Sequence, residues 1–270
     1  MSEQRLIELF DVCRSEGRAA LLPYMTAGLP TPEASVELFV AMAEAGADGF
    51  EVGIPYADPL MDGPIIQTAG ERALAAGSGV EVGLDILRQV VATTGKPAVV
   101  MTYVNPVLRM GIGTFADRVK AAGGSGVIIA DLPVDEAVAF TSVFNQKGIG
   151  LVLFVAPTTT ERRLQRVVAA GPPFVYGIAE VGVTGERVAA SSHIAELVSR
   201  IRSHSQVPVV AGVGISTPEQ ARAAARSADG VIVGSALVRQ VLEADDSRDA
   251  VDRLRVAVSE FAAAVRDLAD

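Results

Sequence analysis

One carboxylate stands inside an otherwise apolar stretch of this chain, at Glu51 within residues 48–55. If the stretch is a strand, side-chain alternation points Glu51 to the opposite side from Phe50 and Val52. Burying an ionisable group without a partner costs several kcal/mol or shifts its pKa. Perturbed groups of this kind are concentrated at functional sites, so Glu51 is a candidate for proton transfer.

Two further acids, Asp58 and Asp62, follow in the loop at residues 56–64, which is stiffened by Pro59 and Pro64. One of the two can converge on the space that the Glu51 side chain faces. Two carboxyl groups around one cavity suit the delivery and removal of protons on a small substrate.

The charge balance excludes several kinds of partner. The 270 residues include 23 Lys and Arg against 32 Asp and Glu, for a net charge of −9, and no basic run occurs. Nucleic acid and anionic membrane surfaces both require clustered Lys and Arg, so neither is expected as a partner. The single cysteine, Cys13, has no Cys or His neighbours, which predicts a free thiol, no metal site and a reducing compartment.

No targeting or membrane segment is predicted. Residues 1–10 include Glu3, Arg5 and Glu8 and lack the apolar core of a signal peptide. No stretch reaches the roughly 18 uncharged apolar residues of a membrane span. We therefore expect a soluble, cytoplasmic protein.

The elements that must position these acids alternate between short β-branched runs and Ala-rich amphipathic stretches, a pattern typical of βαβ units with a parallel sheet. Strands are predicted at 20–26, 48–53, 98–103, 126–130, 150–155, 174–177, 208–211 and 230–233. Helices are predicted at 3–15, 32–45, 65–76, 80–93, 115–122, 134–147, 160–169, 192–203, 218–227 and 246–268.

Small-residue turns join these helices to the strands, as in residues 45–49, 122–126 and 228–230. One such turn is an ordinary loop, but eight units in sequence favour a closed barrel over an open doubly wound sheet. The fold class predicted is α/β, a (β/α)₈ TIM barrel with extra N-terminal and loop helices. Because no linker interrupts the pattern, we expect one domain over residues 1–270.

Three glycine-rich turns follow the last three predicted strands, at residues 182–185, 212–216 and 234–235. In a barrel all three open at the active-site end, where the loops after strands seven and eight commonly bind phosphate. A short helix starting at Gly234 and Ser235 would direct free N–H groups at the anion. The turns contain no Lys or Arg, so amide dipoles would hold the phosphate. Glycine after a strand also occurs in plain turns, and only the barrel context makes these specific.

These motifs together resemble the tryptophan synthase α-subunit family. The resemblance runs from about residue 23 to residue 237 and is most specific over residues 51–64. The other segments that carry it are Met101-Thr102-Tyr103-Val104-Asn105-Pro106, Ala130-Asp131-Leu132-Pro133, Gly182-Val183-Thr184-Gly185, Gly212-Val213-Gly214-Ile215-Ser216 and Gly234-Ser235-Ala236.

The resemblance implies cleavage of indole-3-glycerol phosphate to indole and glyceraldehyde 3-phosphate, a retro-aldol reaction by a carbon–carbon lyase. It assigns Glu51 as the acid/base that protonates indole C3 and handles the hydroxyl. It assigns Asp62 as the acceptor of the indole N–H, which stabilises the developing positive charge. Each role is expected to contribute about 10²-fold or more to the rate.

The resemblance also implies roles for the residues around the two acids. Tyr176 would orient Glu51 by a hydroxyl contact, since a buried tyrosine usually has a partner for its hydroxyl group, with core packing as the alternative role. Thr184 would close onto Asp62. The apolar wall around the indole would include Tyr24, Met101, Ile128, Val213 and Ile232, any of which also suits plain barrel core. The phosphate would be bound by Gly185, Gly212, Val213, Gly214, Gly234 and Ser235.

Two departures from the family pattern concern the pocket. Residues 179–181 read Ala-Glu-Val where members often have Ser and a basic residue, and Val213 replaces a bulky aromatic side chain. Loop closure and pocket fit are therefore less well defined by the sequence than the chemistry is.

The family also implies a partner, a β subunit that uses pyridoxal phosphate, receives indole through a tunnel and forms an αββα complex. This chain has no lysine in a recognisable pyridoxal phosphate motif, so no cofactor is expected in it. The loop 55–64 and residues 105–109 are the predicted contact surface. A stand-alone lyase that releases indole, and a non-catalytic regulatory subunit that binds phosphate, remain as alternatives; retention of both Glu51 and Asp62 weighs against the second.

Overall fold

A closed barrel of parallel strands dominates the computed structural model, which describes residues 3–178 and 189–268. Each strand pairs with its neighbours in chain order, and the first closes the barrel by pairing with the last. The eight strands of the described residues are β1 (Ala20–Thr26), β2 (Phe50–Gly53), β3 (Ala98–Thr102), β4 (Gly126–Ile129), β5 (Gly150–Val155), β6 (Val175–Ile178), β7 (Val209–Gly212) and β8 (Gly230–Val233). The predicted (β/α)₈ barrel is confirmed.

Helices cover the outside of this barrel and close one end of it. In the described residues they are α1 (Gln4–Ser15), α2 (Pro32–Glu44), α3 (Pro64–Ala75), α4 (Val80–Thr94), α5 (Val104–Met110), α6 (Ile112–Ala121), α7 (Val138–Lys147), α8 (Glu161–Ala169), α9 (Ala189–Arg202), α10 (Pro218–Ala225), α11 (Ser235–Leu242) and α12 (Ser247–Arg266). The predicted extra helices are present as α1 before the first strand and as additional helices within the connections.

Local sequence signals explain where several helices begin. The Thr31 side chain accepts a hydrogen bond from the Ala34 N–H ahead of α2. Thr217 and Gln220 form a reciprocal capping box at the start of α10. Both helices begin with proline, whose missing N–H has no acceptor to lose in a first turn.

The helix α1 closes the N-terminal end of the barrel with apolar side chains. Leu9 packs near Gly49, and Phe10 packs near Gly230 and edge-on against Phe174, with ring centroids 5.7 Å apart. Because α1 closes this end, a substrate-sized cavity can open only at the other end, where the strands finish.

Two connections differ from the predicted elements. Residues 104–110 form the helix α5, which is not among the predicted helices; Pro106 lies in its first turn, where proline is tolerated. The helix predicted to begin at residue 134 begins at Val138. Residues 133–137 instead form tight turns, in which the N–H groups of Glu136 and Ala137 donate to carbonyls three residues earlier.

The strand register brings the functional side chains to the same face of neighbouring strands. Tyr24 of β1 is paired with Glu51 of β2, and Gly53 of β2 is paired with Met101 of β3. Alternation then directs these residues to the same, inner face. Within the described residues, none of the helices is long and apolar enough to cross a membrane.

Candidate active site

A cavity of about 870 Å³ opens at the C-terminal ends of the strands. Most of the residues predicted for the site line it: Tyr24, Glu51, Asp62, Met101, Tyr176, Val213, Gly214, Ile232, Gly234 and Ser235. The cavity is large enough to enclose a small organic phosphate, and its wall combines apolar side chains with two carboxyl groups.

Glu51 is buried inside the barrel and lies on the cavity wall, with only 3% of its surface exposed. Its Oε2 atom has no hydrogen-bond partner among the described residues. Burial, and secondarily the nearby charge of Asp62, raise the pKa of Glu51 to about 8. Glu51 is therefore mostly protonated at neutral pH and has a proton to give.

Asp62 lies in the loop between β2 and α3 and faces the same cavity, whereas Asp58 of that loop is exposed. Partial burial raises the pKa of Asp62 to about 6, and a hydrogen bond from the Tyr103 hydroxyl opposes this rise. Asp62 is therefore mostly ionised at neutral pH.

The backbone beside Asp62 is held at two points. The Gln67 side-chain amide donates to the Asp62 carbonyl oxygen over 2.8 Å. The Met61 N–H donates to the Tyr103 hydroxyl oxygen over 3.1 Å. These contacts fix the loop that carries the carboxylate.

Two buried tyrosines share one packing arrangement across neighbouring strands. Tyr24 is paired with Glu51, and its ring lies over Gly53, two residues further along β2. Tyr176 is paired with Val210, and its ring lies over Gly212, two residues further along β7. A Cβ atom on Gly53 would lie 2.2 Å from the Tyr24 hydroxyl oxygen, and one on Gly212 would lie 2.3 Å from that of Tyr176.

These glycines are needed because no side chain fits under the rings. Burial raises the pKa of Tyr176 well above its usual value, and the charge of Glu51 adds to that rise. The Tyr24 hydroxyl shares a hydrogen bond with the Thr26 hydroxyl over 3.2 Å. Both tyrosines are thus neutral groups close to Glu51.

The turn after β7 carries an unusual backbone conformation. Val213 has φ of 62° and Gly214 has φ of 86°, and only the glycine adopts this left-handed region without steric cost. Both residues line the cavity. Gly212 is absent from the described cavity wall, and its contact with Tyr176 gives it a packing role instead.

The turn after β8 leads directly into α11, which begins at Ser235. Gly234 and Ser235 both line the cavity, so the start of this helix faces it. The first N–H groups of a helix have no intrahelical acceptor and carry partial positive charge. This end of the cavity is suited to an anion.

The remaining predicted site residues fall elsewhere. Ile128 is fully buried on β4, paired with Met101, and is absent from the described cavity wall. Thr184 and Gly185 lie outside the described residues, as do residues 179–181.

Several cavity residues had no role in the sequence interpretation. Phe154 of β5 lies in tilted contact with Tyr176, with ring centroids 4.9 Å apart, and strand alternation could have placed it on the inner face. The Asp131 carboxylate accepts the Val104 N–H over 2.7 Å, at the start of α5. Arg163 lines the cavity and pairs with Asp135 over 3.0 Å, for which the sequence gives no signal.

No cluster of His, Cys, Asp and Glu side chains suited to a metal ion occurs in the described part of the chain. Cys13 is a buried free thiol. Burial raises its pKa to about 11, so it is a poor nucleophile at neutral pH.

The barrel and the cavity at its C-terminal end define the class, a (β/α)₈-barrel enzyme. The family model for the tryptophan synthase alpha chain matches residues 10–266. The tryptophan synthase alpha chain of Salinispora tropica is 47% identical over 257 residues, covering 95% of this chain and 96% of the relative. That of Mycobacterium marinum is 45% identical over 262 residues, covering 97% and 95%.

A solved structure of Mycobacterium tuberculosis tryptophan synthase shares the fold with a TM-score of 0.88. It is 44% identical and the match covers 97% of this chain and 98% of that one. The chain therefore belongs to the tryptophan synthase alpha chain family, as the sequence motifs predicted.

Proposed function

We propose that this chain cleaves indole-3-glycerol phosphate to indole and glyceraldehyde 3-phosphate, as the lyase component of a tryptophan synthase. The observation that carries the proposal is the placement of two carboxyl groups on one cavity wall in different surroundings, Glu51 buried with an unpartnered Oε2 atom and Asp62 only partly buried. Glu51 is protonated and Asp62 is ionised at the same neutral pH. In acid–base sites, different surroundings give two carboxyl groups different pKa values, and this difference decides which group is the acid and which is the anion.

Glu51 supplies the proton transfers of the reaction. Its carboxylic acid gives a proton to indole C3, and the resulting carboxylate takes the proton of the adjacent hydroxyl group. The bond between C3 and the glycerol carbon then breaks, its electron pair returns to the indole ring, and the hydroxyl becomes the aldehyde carbonyl. Glu51 ends protonated again. The unpaired Oε2 atom supports this role, because no ion pair holds the carboxyl group in one charge state.

Asp62 stabilises the intermediate state. Protonation at C3 puts positive charge on the indole nitrogen, and an ionised carboxylate that accepts the N–H hydrogen bond offsets that charge. The role requires an anion, in keeping with the pKa of about 6.

The cavity wall suits the two ends of this substrate. Met101, Tyr24 and Ile232 provide apolar surface for the indole ring, and the start of α11 at Ser235 provides amide dipoles for the phosphate. We further propose that Thr184 and Gly185 complete the site, as the family resemblance implies.

A β-subunit partner is proposed at the same end of the barrel. Leu60, Met61 and Leu108 are large apolar residues that are more than half exposed, and they belong to the two segments predicted to contact the partner. Exposed apolar groups at an active-site rim favour a protein interface that would receive the indole. Pyridoxal phosphate would be held by that partner, the assembly would be αββα, and the complex would be cytoplasmic.

The direct test is release of indole from indole-3-glycerol phosphate by the purified chain, with and without a β subunit. The proposal predicts weak activity that rises with the partner and falls about 10²-fold or more in both Glu51→Gln and Asp62→Asn. Matched folding controls are the thermal unfolding curves of both variants.

The other outcomes separate the alternatives. High activity that does not respond to a β subunit would identify a stand-alone indole-releasing lyase. No activity under any condition, with phosphate ligands still bound, would favour a regulatory subunit and contradict the proposal.

A further inference from the structure

Tyr103 is a buried residue beside the cavity for which the reaction above has no use. It follows β3 directly, precedes α5 and is 2% exposed. Among the described residues it is absent from the cavity wall. Its contacts are with the loop that carries Asp62.

The Tyr103 hydroxyl group has two partners on that loop. Its oxygen accepts the Met61 N–H over 3.1 Å. Its proton is donated to the Asp62 carboxylate. One side chain thus fixes both the backbone next to the acid and the carboxylate itself.

The hydroxyl group is suited to remain a donor. Burial raises the pKa of Tyr103 above its ordinary value, and the negative charge of Asp62 raises it further. The phenol therefore keeps its proton throughout the neutral range, and the hydrogen bond to the carboxylate persists while Asp62 is ionised.

The Tyr103 ring is itself held from the other side. It lies in tilted contact with the Tyr56 ring, with centroids 5.1 Å apart. The Tyr56 hydroxyl accepts the Asn105 side-chain amide over 3.0 Å, which links the loop after β2 to the first turn of α5. The ring position is fixed by packing, so the hydroxyl position is fixed too.

We propose that Tyr103 is a positioning residue that orients Asp62 toward the cavity, by fixing both its carboxyl group and the backbone beside it. The proposal rests on the proposed function, in which Asp62 receives the indole N–H. Tyr103 acts through Asp62 and makes no contact with the reacting atoms.

The test is the variant Tyr103→Phe, which keeps the ring against Tyr56 and removes only the hydroxyl group. Without that hydrogen bond the ionised form of Asp62 is less favoured, so its pKa rises. We expect kcat/KM for indole release at pH 7 to fall about 10-fold or more, the usual size for a hydrogen bond to a charged group. We also expect the acid limb of the pH–rate profile to move to higher pH.

Thr102→Val is the matched control. It removes a buried hydroxyl group from the preceding residue, and that hydroxyl group has no hydrogen-bond partner among the described residues. Its activity and acid limb are expected to match those of the unmodified chain. An equal loss in both variants would show a general packing effect and overturn the proposal.

A double-mutant cycle and a titration separate this proposal from the proposed function. In the Asp62→Asn background, Tyr103→Phe should cost no further activity, because the residue acts only through Asp62. Carbon-13 NMR titration of the Asp62 carboxyl group needs no activity at all and should give a higher pKa in Tyr103→Phe. An unchanged Asp62 titration overturns the positioning role even if indole is released; a shifted titration in a chain without indole release supports it and contradicts only the proposed reaction.

Discussion

Two carboxylates three residues apart, Asp48 just before β2 and Glu51 within it, have opposite surroundings. Asp48, just before the strand, accepts two hydrogen bonds of 2.9 Å from the Arg18 guanidinium and a third of 2.9 Å from the Leu21 N–H. Glu51, three residues later, has an Oε2 atom with no partner among the described residues and a pKa of about 8. Little of either side chain is exposed.

The difference lies in the partners rather than in the degree of burial. At the closed end of the barrel a carboxylate receives a cation and a backbone N–H, which keep it charged and use it for structure. Asp229 repeats this arrangement before β8, where it accepts the Val209 N–H over 2.9 Å and lies near Arg14 and Arg202. At the open end the barrel leaves Glu51 free to exchange a proton.

The largest expected effect follows from substituting each acid at the same strand. Glu51→Gln should lower kcat for indole release about 10²- to 10⁴-fold, the range for loss of a general acid–base group. Asp48→Asn should leave kcat of the folded protein within about twofold, since Asp48 is not among the residues that line the cavity. Comparable losses of kcat in the two variants would contradict the assignment of a catalytic role to Glu51 and a structural role to Asp48.

The reverse holds for stability. Asp48→Asn removes the buried carboxylate that pairs with the largely buried Arg18 guanidinium and leaves it paired with the more exposed Glu16, so the free energy of unfolding should fall by about 2 to 3 kcal/mol in urea titrations. The matched control is Asp85→Asn, which removes an exposed pair with Arg88 and should cost less than about 1 kcal/mol. Equal costs would mean that the Arg18 pair has no special structural role.

The free energy of unfolding should depend on pH because of the raised pKa of Glu51. Its folded-state pKa of about 8 lies above the ordinary value of 4.5, so between these values the folded state binds more protons than the unfolded state. Stability contributed by this group is therefore full below about pH 4.5 and is lost as the pH rises to about 8. We expect the unfolding free energy of the unmodified chain, relative to Glu51→Gln, to fall by about 4 kcal/mol across this range. A flat difference between the two curves contradicts the unpaired state of Glu51.

The smallest effect concerns the tyrosines that flank Glu51. Gly212→Ala places a methyl group 2.3 Å from the Tyr176 hydroxyl oxygen, so the ring must move and the unfolding free energy should fall by about 1 to 3 kcal/mol. Gly70→Ala, in the interior of α3 with open space around its Cβ position, should instead stabilise the protein by about 0.5 to 1 kcal/mol. Thermal unfolding of the two variants measures both effects, and equal effects would remove the packing role of Gly212.

Alternation and turn chemistry were sufficient to predict the barrel and the inward direction of Glu51. They failed at α5, whose first residue, Val104, donates its N–H to the carboxylate of Asp131, 27 residues away in the sequence. The roles of Gly53 and Gly212 were missed for a similar reason. Each glycine leaves room for the ring of a tyrosine on a neighbouring strand. Which residues face each other depends on the strand register, which is a tertiary property. The Tyr103 hydrogen bonds likewise join residues about 40 positions apart, which no local pattern reports.

The most direct test of whether Glu51 is protonated at neutral pH is a carbon-13 NMR titration of the glutamate carboxyl groups, with Glu51→Gln used to assign the Glu51 signal. We predict one carboxyl group that titrates near pH 8 and whose signal disappears in the variant. A Glu51 signal that titrates near the ordinary value of 4.5 would contradict it, because Glu51 would then be ionised at neutral pH and would have no proton to give to the substrate.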